Sequence, residues 1–491
     1  MAKTFYITTA IDYPSSAPHL GHAYEKILAD VIARWHRLQG EKVFLLTGTD
    51  EHGLKIQRAA EKAGKTPRQF VDEMSTKFKE LCKVLNISYD RFIRTTEKEH
   101  EELSRNIFDA VYKKGDIYKG TYEGLYCVDC ESFYTQKDAP GFKCPVHKKA
   151  LDKVKEESYF FRLQKYENKI LEYIQKNKFI VPQYRANEIT NRLKEGLRDL
   201  SVSRTSFKWG IKVPFDDKHV IYVWYDALIN YLSGVDYELG KDNKYWPANI
   251  HLIGKDILWH HSVIWPAMLY SAKIELPKQI LVHGFINIKG EKLSKSAGRI
   301  IDPIALAEKY GADVLRYYLI KDIPFGEDGN FSEQVLKDRN NELADKLGNL
   351  VSRLEGLAER LGEIKKANAD IKLTGKLKLK EIQNRMEKFE FDKALSLIID
   401  FVDACNAYVQ EKKPWEIEDR ERLNGILYTL FDSLRVIALL LHPFIPSTSE
   451  EILSRLNGKG KLLASQLKFN LITKVKIKRG KGVLFQKLSR L

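Results

Sequence analysis

Two short stretches of this 491-residue chain hold residue types suited to gripping phosphate. Pro18-His19-Leu20-Gly21-His22 stands where an apolar, strand-like run turns into a helical pattern. Backbone amides at a helix N-terminus face outward and attract phosphate, and two imidazoles can add donors to a triphosphate there. Gly21 leaves room for a flat ring to approach the backbone. Taken alone, the same four-residue pattern would also come from a capped helix start with surface histidines. Some 270 residues later, Lys292-Leu293-Ser294-Lys295-Ser296 follows another strand-like run (279–283) and a turn at Gly290. Two lysines there can clamp a leaving group whose negative charge grows in the transition state. Asp50 comes three residues after the apolar run 43–47, which puts a carboxylate at the C-terminal edge of a strand, where ligands bind in parallel sheets.

A third constellation is Cys127-x-x-Cys130 followed by Cys144-x-x-His147. Each pair can fold into a knuckle that presents two ligands to one tetrahedral ion. The chain has five cysteines, too few for a disulfide framework at this length, and three of them fall within 18 residues. That clustering points to metal. With four protein ligands and no open position, one structural zinc per chain is expected. Cys82 and Cys405 read as small buried residues.

The elements that must position these groups follow from periodicity. Runs 4–10 and 43–47 read as buried strands, each followed by a helix. Ile27, Leu28, Val31, Ile32, Trp35 and Leu38 mark one face of the first helix, and Gly40 sits where a C-terminal cap belongs. This strand–helix rhythm predicts a parallel, Rossmann-like α/β sheet. It breaks near Gly115 and resumes with strands at 219–223, 250–253 and 279–283. The expected division is therefore a sheet domain, first half, over 1–117; an insertion with the zinc knuckle over 118–207; and the second half over 208–285. The lysine loop and a linker follow over 286–341. From 342 the pattern is helical, with Leu343, Leu347, Leu350, Leu354, Leu357 and Leu361 as one apolar stripe. An all-α bundle is expected over 342–460, with Ser447 and Glu450 as a capping box. Residues 461–491 carry nine Lys and Arg and no Asp or Glu, and alternation at 474–478 suggests a basic hairpin.

An imidazole-bearing helix start with a downstream KLSKS, each after a strand, matches the HIGH and KMSKS signatures of class I aminoacyl-tRNA synthetases. Ala10-Ile11-Asp12-Tyr13, Thr49-Asp50-Glu51-His52-Gly53, Val202-Ser203-Arg204, Tyr222-Val223-Trp224-Tyr225-Asp226-Ala227 and Gly254-Lys255-Asp256-Ile257 extend the likeness along most of the chain. Within that class the chain resembles the methionyl-tRNA synthetase family. The resemblance implies activation of L-methionine by ATP, with magnesium, and transfer to the terminal adenosine of tRNA(Met). It implies catalytic roles for His19, His22, Lys292 and Lys295. Gly21, Gly254, Asp256 and Ser294 join these four around ATP. Asp50 would hold the substrate ammonium and Arg204 the carboxylate end. Ile11, Tyr13, Trp224, Ala227, Leu228, Tyr231, Ile257 and His261 would line a thioether pocket. Asn349, Arg353 and Trp415 would read the anticodon. Two positions depart from the family pattern: Asp12 replaces an aromatic or proline, and Asp345 stands where an asparagine is expected.

A class I synthetase for another apolar amino acid is the alternative, although an insertion of about 90 residues is small for an editing domain. The net charge of +15 suits a polyanionic partner. The absence of any run of 18 apolar residues argues against a membrane span, and a cytoplasmic enzyme is expected. Without an appended dimerisation domain, a monomer is expected, with the basic tail as a possible docking site for a separate tRNA-binding subunit.

Overall fold

The structure is a computed structural model that describes residues 3–127, 132–134, 139–145, 148–288, 291–292, 301–456, 462–475 and 482–488. At its centre lie six strands: β1 (Thr4–Thr9), β2 (Lys42–Thr49), β3 (Arg91–Arg94), β4 (Ile180–Val181), β5 (Ile250–Gly254) and β6 (Ile280–His283). They pair in the order β3-β2-β1-β5-β6-β4, and every pairing is parallel. From β1 the chain runs outward through β2 to β3, while β5 takes the other side of β1. The switch point, where a crevice opens beyond the strand ends, therefore lies between β1 and β5.

Helix α1 (Leu20–Leu38) crosses from β1 to β2 and is buried along most of its length. Gly40, at φ 86°, takes the left-handed position that ends it. Two expectations about strands need correction. The run expected at 219–223 forms a strand at Asp216–Ile221, but it pairs antiparallel with Lys212–Val213 and Ser203–Arg204 in a separate small sheet. Apolar continuity marks a buried strand without saying which sheet takes it. Conversely, β4 comes from within the insertion and closes the edge of the parallel sheet, so the insertion is not independent of it. The rest of the insertion centres on a four-stranded antiparallel sheet in which Ile117–Cys127 pairs with Asp152–Phe161.

The helical region contains α2 (Ala312–Asp322), α3 (Glu333–Leu343), α4 (Asn349–Ala358), α5 (Phe391–Lys412), α6 (Arg420–Leu441) and α7 (Pro446–Arg455). A π-helical turn, Ala344–Gly348, joins α3 to α4, so the leucine stripe spans a change in helical phase. Leu343, Leu347, Leu350 and Leu354 are fully buried, and Leu357 and Leu361 pack against the same core. Among the described residues, α6 is the one helix long and apolar enough to cross a bilayer, but 83% of that window is buried within the bundle.

The expected capping box at α7 does not form. Pro446 takes the first turn, Ser447 Oγ accepts from Asn86, and Glu450 faces His442. The orphan amide of Thr448 is instead capped by Asp313 Oδ2 at 2.6 Å, a carboxylate brought in by α2. Of the expected basic hairpin, Lys474–Val475 is described and pairs antiparallel with Ile364–Lys365; residues 476–481 lie outside the described residues. Further on, Asn340 and Asn341 hold the backbone of Gln486 and Leu488 at 2.8–3.0 Å, and Leu484, Phe485 and Leu488 pack on the core. The described end of the chain is thus stitched onto α3.

Candidate active site

His19 is the N-cap of α1. Its Nδ1 accepts from the Gly21 amide at 3.1 Å, and His22 Nδ1 accepts from the His19 amide at 3.0 Å. The two imidazoles thus form a reciprocal capping pair, stacked with centroids 3.8 Å apart. Because both Nδ1 atoms accept, each neutral ring carries its proton on Nε2, away from the backbone. Burial, with His19 and Lys26 adding to it, holds His22 far below the ordinary histidine pKa. His22 therefore offers its Nε2 donor without charge. Gly21 has a local reason to be glycine: a Cβ there would lie 3.0 Å from the His19 ring.

Around this turn stand the C-terminal ends of β1, β2, β5 and β6. Asp50 is buried just beyond β2, and its amide donates to Asp12 O at 2.9 Å. Gly254 ends β5, and a Cβ on it would come within 2.8 Å of Asp256 Oδ1, so that carboxylate would have to shift for any other residue. Ile11, Tyr13, Trp224 and Ile257 are half-buried and pack on one apolar cluster with Leu228 and Tyr231; Ala227 is buried. His261 Nδ1 donates to Ile257 O at 3.0 Å, so its Nε2 accepts from the Tyr231 hydroxyl at 2.7 Å. Burial lowers the His261 pKa to about 4, which keeps this pair neutral. An apolar wall in which Tyr231 and His261 satisfy each other suits a polarisable, uncharged side chain.

Arg204 is buried on Ser203–Arg204, donates to Ser203 O at 2.7 Å and Ser201 Oγ at 2.9 Å, and lies over the Tyr222 ring at 4.3 Å. The strand pair Asn287–Lys292 carries the chain toward the lysine motif; Ser294 and Lys295 lie outside the described residues.

Sequence reasoning missed the groups behind these walls. Asp226 is fully buried and accepts from His52 Nδ1 at 2.7 Å and His100 Nε2 at 2.6 Å. His100 Nδ1 in turn meets Ser233 Oγ at 2.8 Å. Burial works against the charged forms, but the pairing prevails, holding Asp226 low and His52 high. The His52 carbonyl accepts the Tyr13 hydroxyl at 2.8 Å, so one bridge braces both the Tyr13 loop and the turn bearing Trp224. His260 was missed as well. Its ring stacks flat on Trp224 at 3.8 Å, and burial, with His261 and Arg192 nearby, lowers its pKa to about 3. The motif around Asp50 contained His52; nothing local marked His100.

Elsewhere, Cys127 and Cys144 are buried in a small cluster with Leu125, Ala139 and Leu151, and Cys130 and His147 lie outside the described residues. The chain reverses after Cys144 through two 2.8 Å bonds, Lys148 N–H to Cys144 O and Cys144 N–H to Lys149 O. Among the described residues, another group of metal-ligand type is Glu157, Asp216 and His219, but Lys119 Nζ already sits 2.8 Å from Glu157 and 3.2 Å from Asp216. In the bundle, Asn349 and Arg353 are exposed one turn apart on α4. Trp415 is 47% exposed on a turn that Arg360 ties down through the carbonyls of Pro414 and Ile417, at 2.6 and 2.9 Å. The Asp345 carboxylate is engaged by Lys487 at 2.9 Å.

Comparison with known proteins agrees with this architecture. Residues 5–153 and 141–355 match the family described as tRNA synthetases class I (M), and residues 376–479 match the anticodon-binding domain of tRNA ligase. The methionine--tRNA ligase of Caldanaerobacter subterraneus subsp. tengcongensis is 44% identical over 99% of this chain and 79% of its own length. That of Clostridium tetani is 46% identical over 93% of this chain and 74% of its own. The Mycobacterium tuberculosis methionyl-tRNA synthetase, solved in complex with methionyl-adenylate, superposes with a TM-score of 0.93 at 39% identity, covering 98% of this chain and 99% of that one. With family matches over both the sheet and the bundle, the chain belongs to the methionyl-tRNA synthetase family of class I ligases.

Proposed function

We propose that this chain joins L-methionine to the α-phosphate of ATP, releases pyrophosphate and passes the methionyl group to the 3′-terminal adenosine of tRNA(Met). The observation that carries this reading is the pair of imidazoles capping α1 and an apolar wall that includes Tyr13, Trp224 and Tyr231, the last bonded to His261. The substrate carboxylate is itself the nucleophile, so the protein positions groups and stabilises charge. His19 and His22 donate through Nε2 to the triphosphate, which enters with magnesium. Lys292 and Lys295 neutralise the departing pyrophosphate, and Gly254 with Asp256 seats the ribose. Asp50 takes the methionine ammonium, Arg204 organises the carboxylate end, and Ile11, Ala227, Leu228, Ile257 and His261 complete the thioether pocket. A class I enzyme for another apolar amino acid would leave these roles in place and change only the pocket walls.

Cys127, Cys130, Cys144 and His147 would hold a structural zinc that braces the insertion. The donor set fits, with two thiols buried in one small cluster and a chain reversal right after Cys144. No bond-making step passes through it. Asn349, Arg353 and Trp415 would meet the anticodon, the indole by stacking. We assign the chain to the cytoplasm as a monomer. The deciding assay is pyrophosphate exchange into ATP with each of the twenty amino acids. Methionine alone should support fast exchange, and equal exchange with leucine or isoleucine would overturn the assignment.

A further inference from the structure

The surroundings of Asp12 are unusual for a carboxylate. Its amide donates to Gly48 O at 2.8 Å and its carbonyl accepts from Asp50 at 2.9 Å, which fixes the backbone between β1 and β2. Alternation along this extended segment sends Ile11 and Tyr13 toward the methionine pocket and Asp12 the opposite way, toward α1. There its side chain is only 5% exposed. Oδ1 accepts from Lys26 Nζ at 3.0 Å and lies 4.0 Å from His22 Nε2. Oδ2 is buried and has no hydrogen-bond partner among the described residues.

Lys26 is itself buried and spends all three protons, on Ala10 O at 3.1 Å, Asp12 Oδ1 at 3.0 Å and Glu25 Oε1 at 3.0 Å. One ammonium therefore serves two buried carboxylates. Glu25 has a second partner, His283 Nε2 at 3.1 Å, and Lys26 with His283 keeps it ionised despite burial. Asp12 has no such second partner. The other titratable groups that face this cluster are His19, His22 and Asp30 on α1, Asp50 beyond β2, Tyr231 and His261, His283 at the end of β6, and Cys82 on Pro67–Val84. None of them supplies a further positive charge to Oδ2. Burial, opposed by Lys26 and reinforced by Glu25, pushes the Asp12 pKa up to about 7.

A triphosphate bound at the His19–His22 turn would bring several negative charges to the imidazole that stands 4.0 Å from Asp12. Like charges held close in a poorly solvated place cannot all stay ionised. We propose that Asp12 is a positioning residue that takes up a proton from solvent at Oδ2 when ATP binds at this turn, so that nucleotide binding consumes a proton near neutral pH. The proton comes from the buffer and no bond to substrate is made. The neutral carboxyl leaves Lys26 on Glu25 and removes a repulsion beneath the triphosphate. The proposal rests on the placement of ATP given above.

Calorimetric titration of the full chain with MgATP, without methionine, in buffers of different ionisation enthalpy reads the proton count directly. At pH 7.5 the wild type should take up roughly half a proton per ATP bound, with uptake fading below about pH 5.5 and above about pH 9. Asp12→Asn should bind ATP with uptake close to zero. A wild type with no uptake, or a flat profile across pH, overturns the proposal even if the variant does not fold. Equal uptake by wild type and Asp12→Asn overturns it too, since the proton would then land elsewhere. His22→Asn separates this from the underlying reading: if it binds ATP as tightly as wild type, the placement of ATP fails, whatever the proton count.

Discussion

Replacing Asp226 by Asn tests whether the buried histidine bridge sets the methionine pocket. A carboxylate only accepts, so both His52 and His100 must donate to Asp226, at 2.7 and 2.6 Å. An asparagine can keep one of these bonds through its oxygen. Its amide can satisfy His100 if that ring moves its proton to Nδ1, where Ser233 Oγ waits at 2.8 Å. What cannot be recovered is the charge. One charge-assisted hydrogen bond becomes neutral, at a loss of about 1–1.5 kcal/mol, whereas Asp226→Ala would strand both rings and cost about 3–5 kcal/mol. The loss should depend on pH. The His52 pKa is raised in the folded protein, so its contribution is fully present below about pH 6.5 and disappears as pH climbs through the folded value. Asp226 is held low, so it remains ionised at pH 5.5. Urea unfolding should therefore separate wild type from Asp226→Asn more at pH 5.5 than at pH 8.5. Because the bridge holds the Tyr13 loop and the Trp224 turn, the KM for methionine in pyrophosphate exchange should rise by roughly tenfold, equivalent to about 1.4 kcal/mol, with kcat changing less. Equal destabilisation at both pH values, or an unchanged KM, would refute the reasoning.

Three further outcomes are expected. Lys295→Ala should slow pyrophosphate exchange by roughly a hundredfold or more, because the proposed mechanism gives this lysine the growing charge of the leaving group; exchange at the wild-type rate would show that the lysine motif does not reach the triphosphate. Metal analysis should find one zinc per chain, and Cys127→Ser should lower the melting temperature together with the zinc content; a metal-free preparation of undiminished stability would exclude a structural zinc. Trp415→Ala should leave exchange nearly intact and weaken charging of tRNA(Met) by roughly tenfold to over a hundredfold, since a stacked base is worth about 1–3 kcal/mol; equal losses toward an altered anticodon would make Trp415 a packing residue.

What could be read in the sequence was what local pattern determines. The histidine turn, the sheet strands at 4–10 and 250–253 and the leucine stripe all follow from neighbours within a few residues, and each appears where expected. Reading failed where distant partners decide. Ile180–Val181 is too short to show periodicity, and its place at the sheet edge is fixed by Ile280–His283. The capping box at Ser447 lost to Asp313, 135 residues before the amide it caps. His100 lies 126 residues from Asp226, and Glu25 lies 258 residues from His283. No spacing rule links such pairs, because a buried charge finds its partner through the fold. At Gly21 the fold adds a local reason for glycine, since a Cβ there would crowd the His19 ring at 3.0 Å.

Helix α1 also ties the site to the bundle. Its first turn holds His19 and His22, and eight residues beyond His22, or about 12 Å along the axis, Asp30 meets Arg34 Nε and Arg316 at 2.7 Å each. Arg316, fully buried on α2, also donates to the carbonyls of Leu85, Pro443 and Phe444 at 2.8–3.1 Å. A buried ion pair by itself is weak evidence for stability, because desolvation offsets most of the attraction. Its value here is geometric. The guanidinium is a rigid fork with five donors, and its acceptors come from α1, from the loop after Pro67–Val84, and from the turn between α6 and α7. A shift of the bundle against the sheet must either strand that charge or drag α1 with it. Since α1 is buried along most of its length, neither is cheap. The turn that bears His19 and His22 is thereby coupled through α1 and Arg316 to the turn between α6 and α7.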